Sequence, residues 1–154
     1  MRAVVQRVSS ANVEVNATVV AEIGTGFLVL LGVTRTDGIT EAKRLAAKVA
    51  ALRVFEDESG RMSLGLNAVG GEILCVSQFT LYADLRRGNR PSFDQAAPGD
   101  VASPIYDAFC DALEANGIVC RRGVFGAEMR VSLVNDGPVT LVLDTVELEA
   151  PRRP

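Results

Sequence analysis

The chain contains no histidine. Imidazole is the side chain whose ordinary titration lies nearest neutrality, so its absence excludes histidine-based acid or base catalysis and every metal site built on imidazole. Most hydrolase mechanisms fall with it. Lysine is almost as scarce, since of 16 basic residues only Lys43 and Lys48 are lysines and the other 14 are arginines. Cysteine is limited to Cys75, Cys110 and Cys120, an odd number without C-x-x-C spacing and embedded in apolar segments. That pattern fits reduced core thiols and argues against a disulfide framework or a zinc site, so neither a metal nor a cofactor is expected. Long apolar runs are missing too. The longest unbroken one, 27–31, is far too short to span a bilayer, and Arg2, Gln6 and Arg7 interrupt any signal-like segment. A soluble, cytoplasmic protein without membrane contact is the expectation.

What is present fits one folded unit. The 154 residues are 48% apolar with a mean hydropathy of +0.22, enough for a substantial core. Val-rich segments at 1–8, 12–15 and 19–23 predict short strands joined by polar turns, and 27–33 predicts a central strand buried on both faces. Thr40 is placed to cap a helix whose apolar positions are Leu45, Val49 and Leu52, with Lys43, Arg44 and Lys48 opposite. Ser103-Pro104 opens a second helix with the stripe Ile105, Phe109, Ala112 and Leu113, ended by Gly117. Strands at 73–81, 131–134 and 139–148 complete the set. The expected fold is mixed α/β, a single compact domain over 1–148 with a sheet or barrel-like core and two main helices, followed by a C-terminal tail at 149–154 that frays from Pro151 onward. The net charge of −3 argues against nucleic-acid binding through overall charge, yet Arg86-Arg87-Gly88-Asn89-Arg90 and Arg121-Arg122 form local basic clusters.

Two strings put special backbone chemistry beside apolar strands. In Ser77-Gln78-Phe79-Thr80, alternation sets Gln78 and Thr80 on one face and Ser77 and Phe79 on the other. Such groups are ordinarily strand-edge residues that satisfy one another. A hydroxyl nucleophile needs a neighbouring base, and without histidine only lysine or a carboxylate remains. Thr80 is therefore a poor nucleophile. Backbone N–H groups near Gln78 and Phe79 are better placed to act, because oxyanion stabilisation needs donors and no titrating side chain. Asn135-Asp136-Gly137-Pro138 between two Val-rich runs reads first as a hairpin turn. Its second reading depends on proline: an X-Pro bond is the one linkage that is cis at modest cost, and a cis Gly137-Pro138 unit would present carbonyls as a rigid probe of ligand shape. In the long loop 83–98, Arg90, Pro91, Ser92 and Phe93 suit phosphate or ribose contact and base stacking, or simply form a capped surface loop. Phe125 and Met129 flank small residues and either line a pocket or fill core.

Ser77-Gln78-Phe79-Thr80-Leu81, Arg90-Pro91-Ser92-Phe93 and Val134-Asn135-Asp136-Gly137-Pro138-Val139-Thr140, with the opening Ala3-Val4-Val5-Gln6-Arg7-Val8, together resemble the D-aminoacyl-tRNA deacylase family. The resemblance runs to about residue 148 and leaves only the tail outside. It implies a homodimer that hydrolyses the ester between a D-amino acid and the 3′-terminal adenosine of tRNA. It further implies that Gly137 and Pro138 form a cis unit that reaches the partner subunit's site and excludes L-amino acids. Ser77, Gln78, Phe79 and Thr80 would border the ester, with backbone donors as the main catalytic groups and the ribose 2′-hydroxyl assisting. A non-catalytic nucleic-acid module using the arginines of 86–90, and a same-fold deacylase for misacylated L-alanyl-tRNA, are the competing readings.

Overall fold

In the computed structural model, which describes residues 1–151, the N-terminal valines form one strand, β1 (Arg2–Val15), instead of two. Ser9 and Ser10 stay inside it as exposed residues. The reason lies in the partners: one edge of β1 pairs with β3 (Gly26–Gly32) along 2–8 and with β2 (Thr18–Ile23) along 11–15, so the serines stand at the handover, where no side chain must pack. β1 and β2 join through Asn16-Ala17, whose φ values of 49° and 61° give a primed turn matched to strand twist.

The strand β3 is buried on both faces as its unbroken apolar run predicts, with only Leu30 partly accessible. It pairs in parallel with β6 (Glu72–Ser77), and β6 with β7 (Cys120–Arg122). The other edge of β1 is covered by β8 (Arg130–Asp144), giving the order β8-β1-β3-β6-β7. Contacts of β2 with β6 and β7 curl this sheet into a nearly closed barrel. A two-stranded ribbon, β4 (Phe55–Glu56) and β5 (Met62–Leu64), and the single-turn helix α2 (Leu66–Val69) lie between α1 (Ile39–Ala50) and β6. Helices α1 and α3 (Gly99–Ala115) pack together over one face of the sheet. The larger core, with Phe27, Leu31, Leu45, Phe109 and Leu113 fully buried, lies between helices and sheet, and each such side chain contributes about 1.5–3 kcal/mol. A smaller core around Val8, Val13, Leu28 and Leu74 fills the other side.

Several boundaries differ from the sequence-based expectation, each for a local reason. The cap of α1 is Gly38, not Thr40, and Glu41 accepts the Gly38 N–H at 2.7 Å; Leu52 falls beyond the helix. Helix α3 starts before Ser103-Pro104, with Pro98 as its cap, and Pro104 sits inside it on the exposed side. Gly117, at φ 79°, ends it as expected. Strand β6 stops at Ser77, and Phe79–Tyr82 form a 3₁₀ turn. There the chain crosses Gly32, where an added Cβ would lie 3.2 Å from the Gln78 carbonyl oxygen.

The 135–138 segment is no hairpin, since β8 is continuous. Asn135 stands opposite Val8 and Thr140 opposite Gln6, so four residues bulge out against Arg7 alone. The expected strand at 145–148 is instead a short helix, α4 (Thr145–Glu149), because the Asp144 carboxylate accepts the Val146 N–H at 3.0 Å and turns the chain. The Met1 ammonium donates to Asp37 Oδ1 at 2.8 Å and to Thr145 Oγ1 at 2.6 Å, tying the start of β1 to the segment before α1 and to the first residue of α4. Residues 152–154 of the expected frayed tail lie outside the described residues.

Candidate active site

A cavity of about 400 Å³ opens where β6 ends, between the barrel and the start of α3. Leu31, Val76 and Val131 give it an apolar floor, Tyr106 and Phe125 a wall, and Ser77, Gln78 and Phe79 its rim. Met129 completes the lining, so the small-residue stretch after Phe125 borders the cavity. The rings of Tyr106 and Phe125 are 5.8 Å apart. Tyr106 carries the one phenol here and spends it inward, donating to the Cys75 carbonyl at 2.8 Å. Burial, with the neighbouring thiols, pushes that hydroxyl far above its ordinary range, so it serves packing and not proton transfer. The three cysteines beneath are free and buried.

The rim turn decides the chemistry. The Gln78 N–H donates to the Leu31 carbonyl at 2.8 Å, which takes it out of the expected set of oxyanion donors. The Gln78 carbonyl accepts the Leu81 N–H at 3.3 Å and closes the 3₁₀ turn. This leaves the N–H groups of Phe79 and Thr80 without an acceptor among the described residues, as the first donors of a helical turn always are. Phe79 lines the cavity and Thr80, next along the turn, does not, so the two adjacent free donors stand at its edge, an arrangement that suits a developing negative oxygen. Thr80 Oγ1 accepts from the Gln78 side-chain amide, which is not a base, and no titrating group among the described residues is hydrogen-bonded to it. Arg2 anchors the turn from outside, donating to the Leu81 carbonyl at 3.1 Å and to Asp144 at 2.7 Å, with its guanidinium 4.7 Å from the centroid of the Tyr82 ring.

Phe79 is 57% exposed and meets Phe93 edge to face at 5.0 Å, so the long loop reaches the mouth of the cavity through one aromatic pair. Ser92 pairs with Asp84 through both backbone groups, at 2.7 and 3.0 Å, and its hydroxyl accepts the Asp94 N–H. Arg90 and Pro91 are exposed on the same loop and do not line the cavity.

Gly137 and Pro138 do not line it either. Their peptide bond is cis, and both are exposed on the β8 bulge. The bulge is held rigidly. Arg7, only 6% exposed, donates from Nε to the Asp136 carbonyl at 2.9 Å and from Nη1 to the Val54 carbonyl at 2.7 Å. Asn135 accepts the Val139 N–H at 3.0 Å and donates to Thr140 Oγ1 at 2.8 Å. A Cβ on Gly137, whose φ is +135°, would fall 2.9 Å from Arg7 Nη2. Motif strings alone do not single out Arg7 or Tyr106. The available signal for Arg7 is alternation: with Ala3 and Val5 facing inward, a charged residue at the next inward position must have buried acceptors.

These features define a class before they define a relationship: a small mixed α/β protein whose candidate site sets free main-chain donors and an aromatic pair beside an apolar cavity lined by no lysine or carboxylate among the described residues. Residues 4–144 match the family described as D-Tyr-tRNA(Tyr) deacylase, and the chain belongs to it. It is 56% identical to the D-aminoacyl-tRNA deacylase of Chloroflexus aurantiacus, covering 99% of this chain and 96% of that protein. Identity to the D-aminoacyl-tRNA deacylase of Anaeromyxobacter dehalogenans is 55%, over 96% and 99% of the two chains. A solved structure of a c-Myc DNA unwinding element binding protein superimposes with a TM-score of 0.88 at 43% identity, covering 94% of this chain and 98% of that one. No helix among the described residues is long and apolar enough to cross a membrane.

Proposed function

We propose that this protein hydrolyses the ester joining a D-amino acid to the 3′-terminal adenosine of tRNA, and that the free N–H groups of Phe79 and Thr80 are its principal catalytic groups. The observation that carries this reading is the pair of unsatisfied donors in the turn that begins at Phe79 on the rim of an apolar cavity, whose lining holds no lysine or carboxylate. The ester carbonyl oxygen accepts from both N–H groups, so charge developing there meets donors already in place. Water adds to the carbonyl carbon with assistance from the ribose 2′-hydroxyl. The C–O bond to the ribose then breaks, and the oxygen leaves as the 3′-hydroxyl, releasing free D-amino acid and tRNA. An aminoacyl ester is intrinsically labile, so positioning and oxyanion stabilisation supply enough acceleration.

Phe79 and Phe93 give the terminal adenine an aromatic face, with Arg90, Pro91 and Ser92 alongside; Ser77, Gln78, Phe125 and Met129 shape the pocket behind it. Gly137 and Pro138 act in trans as the chirality gate of a homodimer. Their exposure, their absence from this chain's own cavity and the rigid support from Arg7 and Asn135 favour that role. Exposed Val134 and Val142 on β8 give such a dimer apolar surface to cover. The enzyme would work where charged tRNA is found, in the cytoplasm, without metal or cofactor.

A gate that rejects substituents in the L direction passes a substrate with no substituent at all, so glycyl-tRNA is cleaved together with D-aminoacyl-tRNA. The test is a time course on glycyl-, D-alanyl- and L-alanyl-tRNA carried on one tRNA body, with light scattering at assay concentration. Cleavage of the first two by a dimer is expected. Cleavage of L-alanyl-tRNA would transfer the protein to the L-alanine reading, and cleavage of none with retained tRNA binding would make it a non-catalytic module. Acceptance of D-alanine with rejection of glycine would end the exclusion model.

A further inference from the structure

The loop at 84–94 carries more positive charge than the aminoacyl ester and its adenosine can use. Its base is fastened by the double backbone pairing of Asp84 with Ser92. Within it the three arginines divide sharply. Arg86 folds back onto the Asp84 carboxylate through Nε at 2.9 Å and Nη2 at 2.5 Å, and this pairing lowers the Asp84 carboxyl to about 2. Arg87 and Arg90 make no ion pair among the described residues, although both line the same recess of about 450 Å³ with Ser92 and Asp94. Arg35 joins them from the segment before α1 by donating to the Asp94 backbone carbonyl at 2.6 Å. With Asp84 paired to Arg86, Asp94 is the one further carboxylate among the residues lining the recess, against Arg87 and Arg90, while Arg35 stands beside it.

We propose that Arg87 and Arg90 form a phosphate-binding track that holds the single-stranded 3′ end of an RNA as it leaves the ester pocket. This rests on the reading of that pocket as an aminoacyl-tRNA site and adds where the rest of the acceptor strand runs. The path is continuous: the cavity opens at Phe79, Phe79 packs on Phe93, and Phe93 follows directly on Ser92 at the base of the loop. Guanidinium forks suit phosphate oxygens, and contacts of this kind fix a strand's position without reading its bases. Arg86 contributes only to the shape of the loop, since its fork is already filled.

The test is direct binding of an uncharged RNA hairpin ending in a single-stranded CCA, followed by fluorescence anisotropy as salt is varied. For Arg87→Gln/Arg90→Gln, affinity should fall about tenfold or more, and the slope of log affinity against log salt should flatten by about 1.4, or about 0.7 for each single-strand phosphate left without its arginine. Arg87→Lys/Arg90→Lys, which keeps the charge, should retain most of the slope, and Asp84→Asn/Arg86→Gln, which removes the ion pair without changing the net charge of the recess, should bind like the parent. In parallel, the ratio of kcat/KM for D-tyrosyl-tRNA over that for D-tyrosyl-adenosine, which has no phosphate to hold, should drop in the double glutamine variant. Unchanged affinity and slope in the double glutamine variant would overturn the proposal, as would an equal loss in Asp84→Asn/Arg86→Gln or a change of mass in the double glutamine variant. The binding arm reads the loop even if the parent protein cleaves neither ester, an outcome that would refute the deacylase reading alone.

Discussion

Replacing Arg7 with leucine removes two charged hydrogen bonds at once, to the carbonyls of Asp136 and Val54. Bonds from a charged donor contribute about 1.5–3 kcal/mol each, an upper sum of about 6 kcal/mol. The realised loss is smaller. Asp136 is exposed, so water takes over its carbonyl, and leucine leaves no unpaired charge behind. A destabilisation of about 2–4 kcal/mol follows, and for a domain of this size that lowers Tm by roughly 4–16 °C. Arg7→Lys keeps the charge but reaches only one carbonyl, so it should fall between. Denaturant unfolding gives the stability, and the ratio of cleavage rates on D- and L-tyrosyl-tRNA gives the consequence at the gate. That ratio should shrink in Arg7→Leu more than the rate on the D substrate does, because the bulge bearing Gly137 and Pro138 loses its brace while Phe79 and Thr80 keep theirs. A Tm change under about 1 °C together with intact discrimination would refute the assignment of Arg7 as that brace.

Thr80→Ala should retain activity within about tenfold of the parent, because the group in use at that position is the main-chain N–H; a loss near a thousandfold, the scale of removing a main catalytic group, or a trapped acyl adduct on Thr80 would contradict this. Exhaustive chelation should leave the rate on D-tyrosyl-tRNA unchanged, and recovery by a divalent ion after a loss in EDTA would show the site misread. A plot of kcat against pH should show no inflection between about 5.5 and 7.5, where an imidazole would titrate. The carboxyl of Asp84, lowered by its hydrogen bonds from Arg86, contributes stability to the loop that is present above the ordinary carboxylate range and is lost as pH falls through about 2. An NMR titration should find it there, and Arg86→Gln should return it upward; an Asp84 that titrates normally in the parent protein would rule out the pairing.

Periodicity carries much of the fold. The unbroken apolar run of β3 and the stripes of α1 and α3 are legible because each reports a local pattern of burial. The failures share one cause. Strand β6 ends at Ser77 because of a crossing over Gly32, far away in sequence, and nothing in 77–82 announces a 3₁₀ turn. The expected hairpin at 135–138 is a bulge because Arg7, 129 positions earlier, supplies from across the sheet the donor that the Asp136 carbonyl needs. Motif strings name the residues of the candidate site, but not which of their backbone groups are already engaged. Only the bond from Gln78 N–H to Leu31 shows which donors of the rim are spoken for.

The central position of β1 also sets an order of events during synthesis. Its edge toward β3 is covered early, whereas its edge toward β8 waits for residues 130–144, and Arg2 finds Asp144 only 142 positions later. Pairings of such separation slow folding, because the intervening chain must be ordered before they return any free energy. A nascent chain therefore carries a long unpaired valine-rich edge until nearly all of it has left the ribosome, a period in which strand-to-strand association with other copies competes with closure. The strand that covers this edge is also the one that bears Gly137 and Pro138. A chain stopped before β8 lacks Gly137 and Pro138, the Val131 side of the cavity and the cover of this sheet edge all at once, a state that quality control by chaperones and proteases can recognise.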